Sequence, residues 1–405
     1  MPNTAAISTV STILKDMYLP PVVEQLNNEV LFLQILESRS QELFGNQAIV
    51  PLHSGRSGGI GARGEDEDLP AAGAQVYNRA VFDLKYLYGR VRVTGPSMAK
   101  TRSEVGAFLE VLKGELDGIR ADLKKDLARQ FYGNGEGKLA QCGTTTSSNV
   151  VVLSSAEPLR KGQIYVGARV IIGTVADVDA VTGGSNAARE VTAVNIAGPS
   201  ITIDGAAVTT SSSHFVFRHG SVVDGACREV SGLQQVVATS ATAFGGITPT
   251  GANAFWDNLR DTTGGGLTQD NMIKAWNQVK IAGGDVSHII TSYGLQRAYF
   301  NLLQSLVRYT EPTRLKGGFE ALDFMQKPLI ADLDAPFGNM YFLDTKWLKI
   351  FSNRDWHFLD KDGDILKWVP DRDAWQAVLA RYLNLGASRR NTLMVMSGLT
   401  DATGF

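Results

Sequence analysis

The sequence predicts an α+β protein carrying a small β-rich insertion, on three observations. A glycine-rich stretch with extended limbs (50–96) runs straight into one long amphipathic helix (97–132), which the turn Gly133-Asn134-Gly135-Glu136-Gly137 stops. Residues 142–227 form a compositional island, thin in charge and rich in Thr, Ser, Val and Gly, with several short β-type runs. From 228 onward, helix-period and strand-period segments follow one another as in an α/β unit.

Composition bounds the rest. The chain has 405 residues, enough for two or three domains with their own cores. With 39 basic against 41 acidic residues, its overall charge gives no drive toward nucleic acid. No apolar run approaches the roughly 20 residues that span a bilayer, and Met1-Pro2-Asn3-Thr4 opens no secretory signal, so no membrane partner is expected. Two cysteines argue against a disulfide scaffold and for folding in a reducing cytoplasm. The 42 glycines, above the usual share of about 7%, cluster in loops and imply many turns and extended arms.

Residues 1–49 read as an arm with short helices: Val22, Val23, Leu26, Val30, Leu33 and Leu36 take helical spacing after Pro20-Pro21. The arm cannot build a core alone and must pack on something else. Residues 50–96 read as an extended loop of two limbs. Its tip, 54–64, is too rich in glycine for stable structure. The acidic run Glu65-Asp66-Glu67-Asp68 follows, and a returning limb alternates through Val81, Leu84, Tyr86, Tyr88, Val91 and Val93. Four adjacent acids are ordinarily a solvated loop; the sharper reading is a contact with basic groups on a neighbouring subunit.

The helix over 97–132 carries Val105, Phe108, Leu109, Leu112, Leu116, Ile119, Leu123, Leu127 and Phe131 as one stripe. Glu110, Lys113, Asp117, Arg120, Lys124 and Arg129 fall on its other faces. Gly106, Gly114 and Gly118, at about 1 kcal/mol each against alanine, imply close packing or a place to bend. Within the island, strands are predicted at 150–153, 164–166, 169–172, 190–196, 201–203 and 214–218, separated by turns such as Thr182-Gly183-Gly184-Ser185, giving a small β-barrel or sandwich. Beyond it come helices at 268–282 and 293–306 and strands at 286–291, 328–331, 340–343 and 348–351. A closing hairpin is predicted to pair 375–385 with 392–398 around a turn that holds Arg389 and Arg390.

No motif assembles an active site: there is no G-x-S-x-G, Walker loop, H-E-x-x-H or paired C-x-x-C. The histidines (His53, His214, His219, His288, His357) are scattered, so no metal or cofactor is expected and no catalytic residue is assigned. Asp360-Lys361-Asp362-Gly363-Asp364 lacks the glycine and glutamate positions of a calcium loop and reads as a polar turn. Cys142 and Cys227 bracket the island. If the island is inserted, its two ends lie close and the thiols are neighbours; the alternative is two unrelated reduced thiols.

In this order of parts, the chain resembles the tailed-bacteriophage major capsid proteins of the Hong Kong 97 fold. Glu229-Val230-Ser231-Gly232-Leu233-Gln234 looks like the start of that family's central domain, and 319–332 with Tyr341-Phe342-Leu343-Asp344 looks like its recurrent strand passage. The resemblance covers nearly the whole chain except 142–227. It implies an N-terminal arm (1–49), an extended loop (50–96), a peripheral domain with the spine helix (97–141), a β-rich insertion domain (142–227), an axial domain (228–352) and a peripheral β-hairpin (353–405). It also implies a non-enzymatic subunit that self-assembles as hexamers and pentamers into an icosahedral virion shell, in the host cytoplasm, around double-stranded DNA bound without sequence preference. A scaffolding protein, a portal and a decoration protein are the partners implied.

Some members join subunits through a lysine on the extended loop, but 53–80 contains no lysine and Lys85 lies well down the returning limb. Noncovalent contacts are therefore expected, with Arg56, Arg63, Glu65, Asp66, Glu67, Asp68, Arg389 and Arg390 as candidates. Only about fifty residues precede the loop, so a cleaved scaffolding segment is not expected. The alternatives are an encapsulin-type compartment that encloses cargo enzymes and, more distantly, a hydrolase with a β-rich accessory domain.

Overall fold

Strands far apart in sequence pair into two mixed sheets and one closed ladder. The computed structural model describes residues 31–43, 45–94, 105–182, 187–223, 226–237, 242–305, 313–314, 320–360 and 366–401. The arm before 31, the start of the long helix at 97–104, the end of the predicted turn at 183–185, Phe319 and the polar turn at 361–365 lie outside the described residues.

The first sheet is built on Ala374–Ala387, a 14-residue strand. Lys85–Thr94 runs antiparallel along one edge of it, and Leu348–Phe358 and then Lys367–Trp368 run antiparallel along the other. Ser40–Glu42 adds a short parallel strand beyond Leu348–Phe358. The long helix, described over Val105–Tyr132, packs against this sheet. Strand and helix come close at Gly89, where a Cβ would stand 2.5 Å from Leu123 Cδ1 and 2.8 Å from Ile119 Cγ1. The helix's last turn is enclosed on every side: Leu127, Ala128, Arg129, Gln130, Phe131 and Tyr132 are all buried. Arg129, predicted on the polar face, is thus inside, because the 229–237 segment and the short helix Leu31–Glu37 close over that end. Burying Phe131 and Leu127 contributes roughly 1.5–3 kcal/mol each.

The returning limb of the loop is two strands rather than one. Val76–Asp83 pairs with Gln47–Gly55 as a separate two-stranded hairpin, and Lys85–Thr94 joins the large sheet. Leu84 makes the break, its N–H donating to the Asn46 carbonyl. Alternation alone did not reveal this, since both strands keep a period of two.

Residues 138–218 form an antiparallel ladder in the order 138–141, 215–218, 169–173, 189–195, 200–203, 150–152. Its two end strands meet through the bridge between Cys142 and Leu153, so the ladder closes on itself. Inside lie Cys142, Val151, Leu153, Val170, Ile172, Val191, Ile201 and Val216. Arg218 N–H donates to the Gly137 carbonyl, which holds the two ends of this region together. Its strands run from 138 to 218: Lys138–Gln141 lies ahead of the island read at 142–227, the last strand ends at 218 as predicted, and Val222–Val223 pairs separately with Ala226–Cys227. Residues 164–166 are not a strand; Ile164 is buried by a turn, and Tyr165 and Val166 are exposed.

The second mixed sheet has seven strands in the order 259–261, 394–396, 340–343, 288–291, 327–331, 320–324, 313–314. Helices Gln269–Ile281 and Tyr293–Ser305 pack on it, the first capped by the Thr268 hydroxyl, which accepts from the Asn271 N–H. The tight turn between Phe324 and Lys327 places Met325 and Gln326 at φ 50° and 62°, a left-handed pair that joins antiparallel strands closely. The predicted closing hairpin does not form. Residues 374–387 stay in the first sheet, while Met394–Met396 enters the second, parallel to Leu259–Asp261 and antiparallel to Met340–Leu343. The chain crosses between sheets because Leu393 and Val395 belong to the core around the helix end, whereas Met394 and Met396 face the helices of the second sheet.

Candidate intersubunit surfaces

The hairpin of Gln47–Gly55 and Val76–Asp83 is held to the body along its lower half, as far as Leu52, which is buried, and Asn78, whose Nδ2 donates to Asn253 Oδ1 at 3.1 Å. Phe82 lies 5.1 Å from the Phe244 ring and 5.7 Å from Phe351, and the Val81 N–H donates to the Gly245 carbonyl. Gly245, at φ 61°, leaves no room for a side chain against Phe82 and Ala80. Alternation then sends Ala48, Leu52, Ala80 and Phe82 inward and leaves Ile49 and Tyr77 outward, with Tyr77 71% exposed; Val76, in phase with Ala80, is exposed because it lies at the far end of the strand. A lone two-stranded ladder is marginal in water, and this one shows apolar side chains to solvent.

Beyond the paired strands, 56–75 is stranded by neither limb yet is not shapeless. A Cβ on Gly73 would meet Ser57 Oγ at 2.7 Å and the Gly59 nitrogen at 2.9 Å, so glycines let the limbs pass closely. Arg63 Nε donates to the Asp68 carbonyl at 3.0 Å, and the Gly64 N–H donates to Glu67 Oε2 at 2.9 Å. Arg63 and Glu67 therefore hold the tip's own shape. Arg56, Glu65, Asp66 and Asp68 are exposed, and their side chains make no hydrogen bond or ion pair among the described residues.

Two predicted contact residues are engaged inside the subunit. Arg389 is half-buried and donates from Nη2 to the Ala282 carbonyl (2.6 Å) and from Nη1 to the Gly283 carbonyl (3.1 Å), capping the helix Gln269–Ile281. Arg390 has no exposed surface. Its guanidinium donates to the carbonyls of Val236, Gln235 and Thr242 beneath the Phe244 ring, so it cannot reach a neighbour. Both thiols are free. Cys142 is enclosed in the ladder's core, where burial pushes its thiol up to about 12. Cys227 is half-buried beside an open cleft of about 490 Å³ that Lys85, Glu136 and Glu229 also line. Burial first, then Glu136, raises the Cys227 thiol, the opposite of what a nucleophilic cysteine needs.

Two ionic clusters escaped the sequence reading. At the helix end, Arg129 Nη2 donates to Glu229 Oε1 (2.5 Å) and Nε to Asp126 Oδ1 (3.1 Å), with Arg218 3.4 Å from Asp126. Burial opposes the charge on Arg129, but Glu229 and Asp126 outweigh it and raise its pKa. Gln130 Oε1 accepts from the Val230 N–H, fastening the same segment. The second cluster is Asp332 and Asp334. Asp332 accepts from the N–H groups of Phe32 and Asp334, and Asp334 pairs with Lys125 Nζ at 2.9 Å. Nearby, Lys161 Nζ donates to Glu157 and to the Ala335 carbonyl. This cluster ties the first helix, the long helix, the closed ladder and the second sheet together. Only the tertiary approach of residues as far apart as 32 and 332 reveals it.

No family model matches the sequence, and no curated protein does. Among solved structures, the chain is similar to a subunit in the cyanophage A-1(L) capsid asymmetric unit, at 14% identity over 98% of this chain and 100% of that one, with a TM-score of 0.63. It is similar to the holo-SrpI encapsulin complex of Synechococcus elongatus PCC 7942, at 8% identity over 100% and 98% of the two chains, TM-score 0.52. The capsid of a native GTA particle matches at 10% identity over 98% and 100%, TM-score 0.52. The likeness fixes the fold: a mixed α/β architecture of the Hong Kong 97 type, over essentially the full length of each chain.

Proposed function

We propose that this chain is a major capsid protein that self-assembles as hexamers and pentamers into an icosahedral shell around double-stranded DNA. The observation that carries the reading is the hairpin whose lower half is held to the body and whose Ile49, Tyr77 and terminal Val76 are exposed, set on a shell-forming fold. A neighbouring copy is the natural cover for such a surface, and obligate interfaces of this kind commonly bury more than about 2,000 Å². The role is read as structural rather than catalytic, in keeping with the capsid assembly to which the chain is similar. Contacts are noncovalent, since the loop from 53 to 80 offers no lysine.

In this reading the large sheet and long helix form the peripheral part, the seven-stranded sheet and its helices form the axial part, and the closed ladder is an insertion joined at Gly137 and Arg218. A scaffolding protein and a portal take part in assembly, a decoration protein is a further partner, and the product is the virion, built in the host cytoplasm. The similarity to an encapsulin favours one second reading, a compartment enclosing cargo enzymes.

Expression of the chain alone, followed by electron microscopy, tests the reading. Closed shells or six- and five-membered rings are expected. A monomer that stays monomeric with the scaffolding protein added would sink it. Nuclease-protected DNA inside particles from infected cells separates a virion from a cargo compartment.

A further inference from the structure

The strand Lys85–Thr94 has two unlike faces. Leu87, Gly89 and Val91 turn toward the long helix, while Tyr86, Tyr88, Arg90 and Arg92 stand on the other face, all exposed. Tyr86 and Tyr88 lean edge-on against Tyr382 of the paired strand, at 5.2 and 6.1 Å, so the aromatic part is held in place. Arg90 and Arg92 make no ion pair among the described residues. The exposed Asp371 and Asp373 precede Ala374, the last residue paired along this strand. Among the described residues the face is thus a fixed, uncovered, cationic and aromatic surface.

Its complement sits at the other end of the same chain path. Glu65, Asp66 and Asp68 are exposed at the hairpin tip and have no partner among the described residues, beyond eight residues of strand that extend about 27 Å from Asp83. A patch at one end and its complement at the other make a head-to-tail contact, and such contacts close into rings when the rotation allows. We propose that Arg90 and Arg92, flanked by Tyr86 and Tyr88, receive the acidic tip (Glu65, Asp66, Asp68) of a second copy of this chain. This rests on the self-assembly reading and names the surface that the hairpin covers. Each exposed ion pair is worth little alone, roughly 0.2–1 kcal/mol, but repetition around a ring makes the set cooperative.

Charge reversal tests it. Glu65→Lys/Asp66→Lys/Asp68→Lys leaves Glu67 to shape the tip, and Arg90→Glu/Arg92→Glu reverses the receiving face. Each set alone should lower the assembled fraction about tenfold at low salt, with circular dichroism unchanged. Both sets in one chain should recover most of it, which no folding defect would do. Assembly unaffected by either set, or no recovery in the combination, overturns the proposal. So does an Arg90→Glu/Arg92→Glu chain that assembles normally but loses bound duplex DNA, since the face would then hold a polyanion. If the unaltered chain forms no ring or shell even with the scaffolding protein added, the shell reading fails separately. The contact is then read by mixing Glu65→Cys copies with Arg90→Cys copies and adding a bis-maleimide. A crosslinked dimer, absent when either is mixed with unaltered chain, supports the contact; its absence overturns it.

Discussion

Arg390 lies at the centre of the largest core, its guanidinium shared among three backbone carbonyls of the 235–242 segment. Burial pushes its pKa down to about 10, so it remains charged at neutral pH without a carboxylate in direct contact. Arg390→Ala would leave those carbonyls unsatisfied and open a cavity, and should cost at least about 3 kcal/mol. Arg390→Lys should restore only part of it, because one ammonium cannot serve the same spread of carbonyls. A urea titration of each variant, compared at the midpoint, checks both. In the sequence this residue is one of two arginines in a glycine-bearing turn. Exposure was the ordinary inference for such a turn, and it failed because the segment that buries Arg390 begins some 150 residues earlier. At the tip, by contrast, Arg56, Glu65, Asp66 and Asp68 are exposed, and among the described residues no remote segment packs on them.

The glycines of the long helix and of the segment beside it differ in kind. Nothing stands within 4 Å of a Cβ added at Gly114 or Gly118, so neither is required for packing in the subunit. Gly232 is the reverse: its Cβ would come within 2.3 Å of the Gln130 carbonyl oxygen and 2.5 Å of that of Gly133. Gly114→Ala should therefore stabilise by up to about 1 kcal/mol, and Gly232→Ala should destabilise by about 1–3 kcal/mol. Thermal midpoints read by circular dichroism decide; equal shifts would contradict the packing described. The helices at 269–281 and 293–305 were legible from their periodicity, the first also from the Gly283-Gly284 stop that follows it, all local signals. The split at Leu84 and the missing closing hairpin were not. A strand's period says which face is buried and nothing of which strand lies beside it.

Across the whole molecule, acid acts on the knot between the first helix, the long helix and the second sheet. Burial raises the carboxyls of Asp332 and Asp334 above the usual 3.8, against the opposing pull of their hydrogen bonds and of Lys125. A raised carboxyl binds more protons folded than unfolded, so its contribution to stability falls as pH rises through that window and returns as pH falls. Asp126 is lowered instead: burial is outweighed by Arg129 and Arg218, so its contribution persists above 3.8 and is lost only in stronger acid. His288, lowered chiefly by burial, acts against stability as pH falls below its usual 6.5. The difference between the unaltered chain and Asp332→Asn/Asp334→Asn isolates the pair. Between pH 7 and about pH 4.5 the unaltered chain should gain stability relative to the variant; a difference that stays flat would refute the assignment.

What the sequence by itself determined were the local things: the order of loop, helix, β-rich island and α/β region, the two helices of the α/β region, most strands, and a charged, glycine-rich tip. These follow from periodicity and turn chemistry, which act over a few residues. Only the tertiary structure decided which strands pair, that Met394–Met396 leaves its neighbour for the other sheet, that the β-rich ladder closes through Cys142 and Leu153, and that Arg129, Arg390, Asp332 and Asp334 lie inside. Each of those depends on residues a hundred or more positions apart, or on closing a sheet upon itself. No periodicity encodes that; it is set by which apolar faces find each other when the chain collapses.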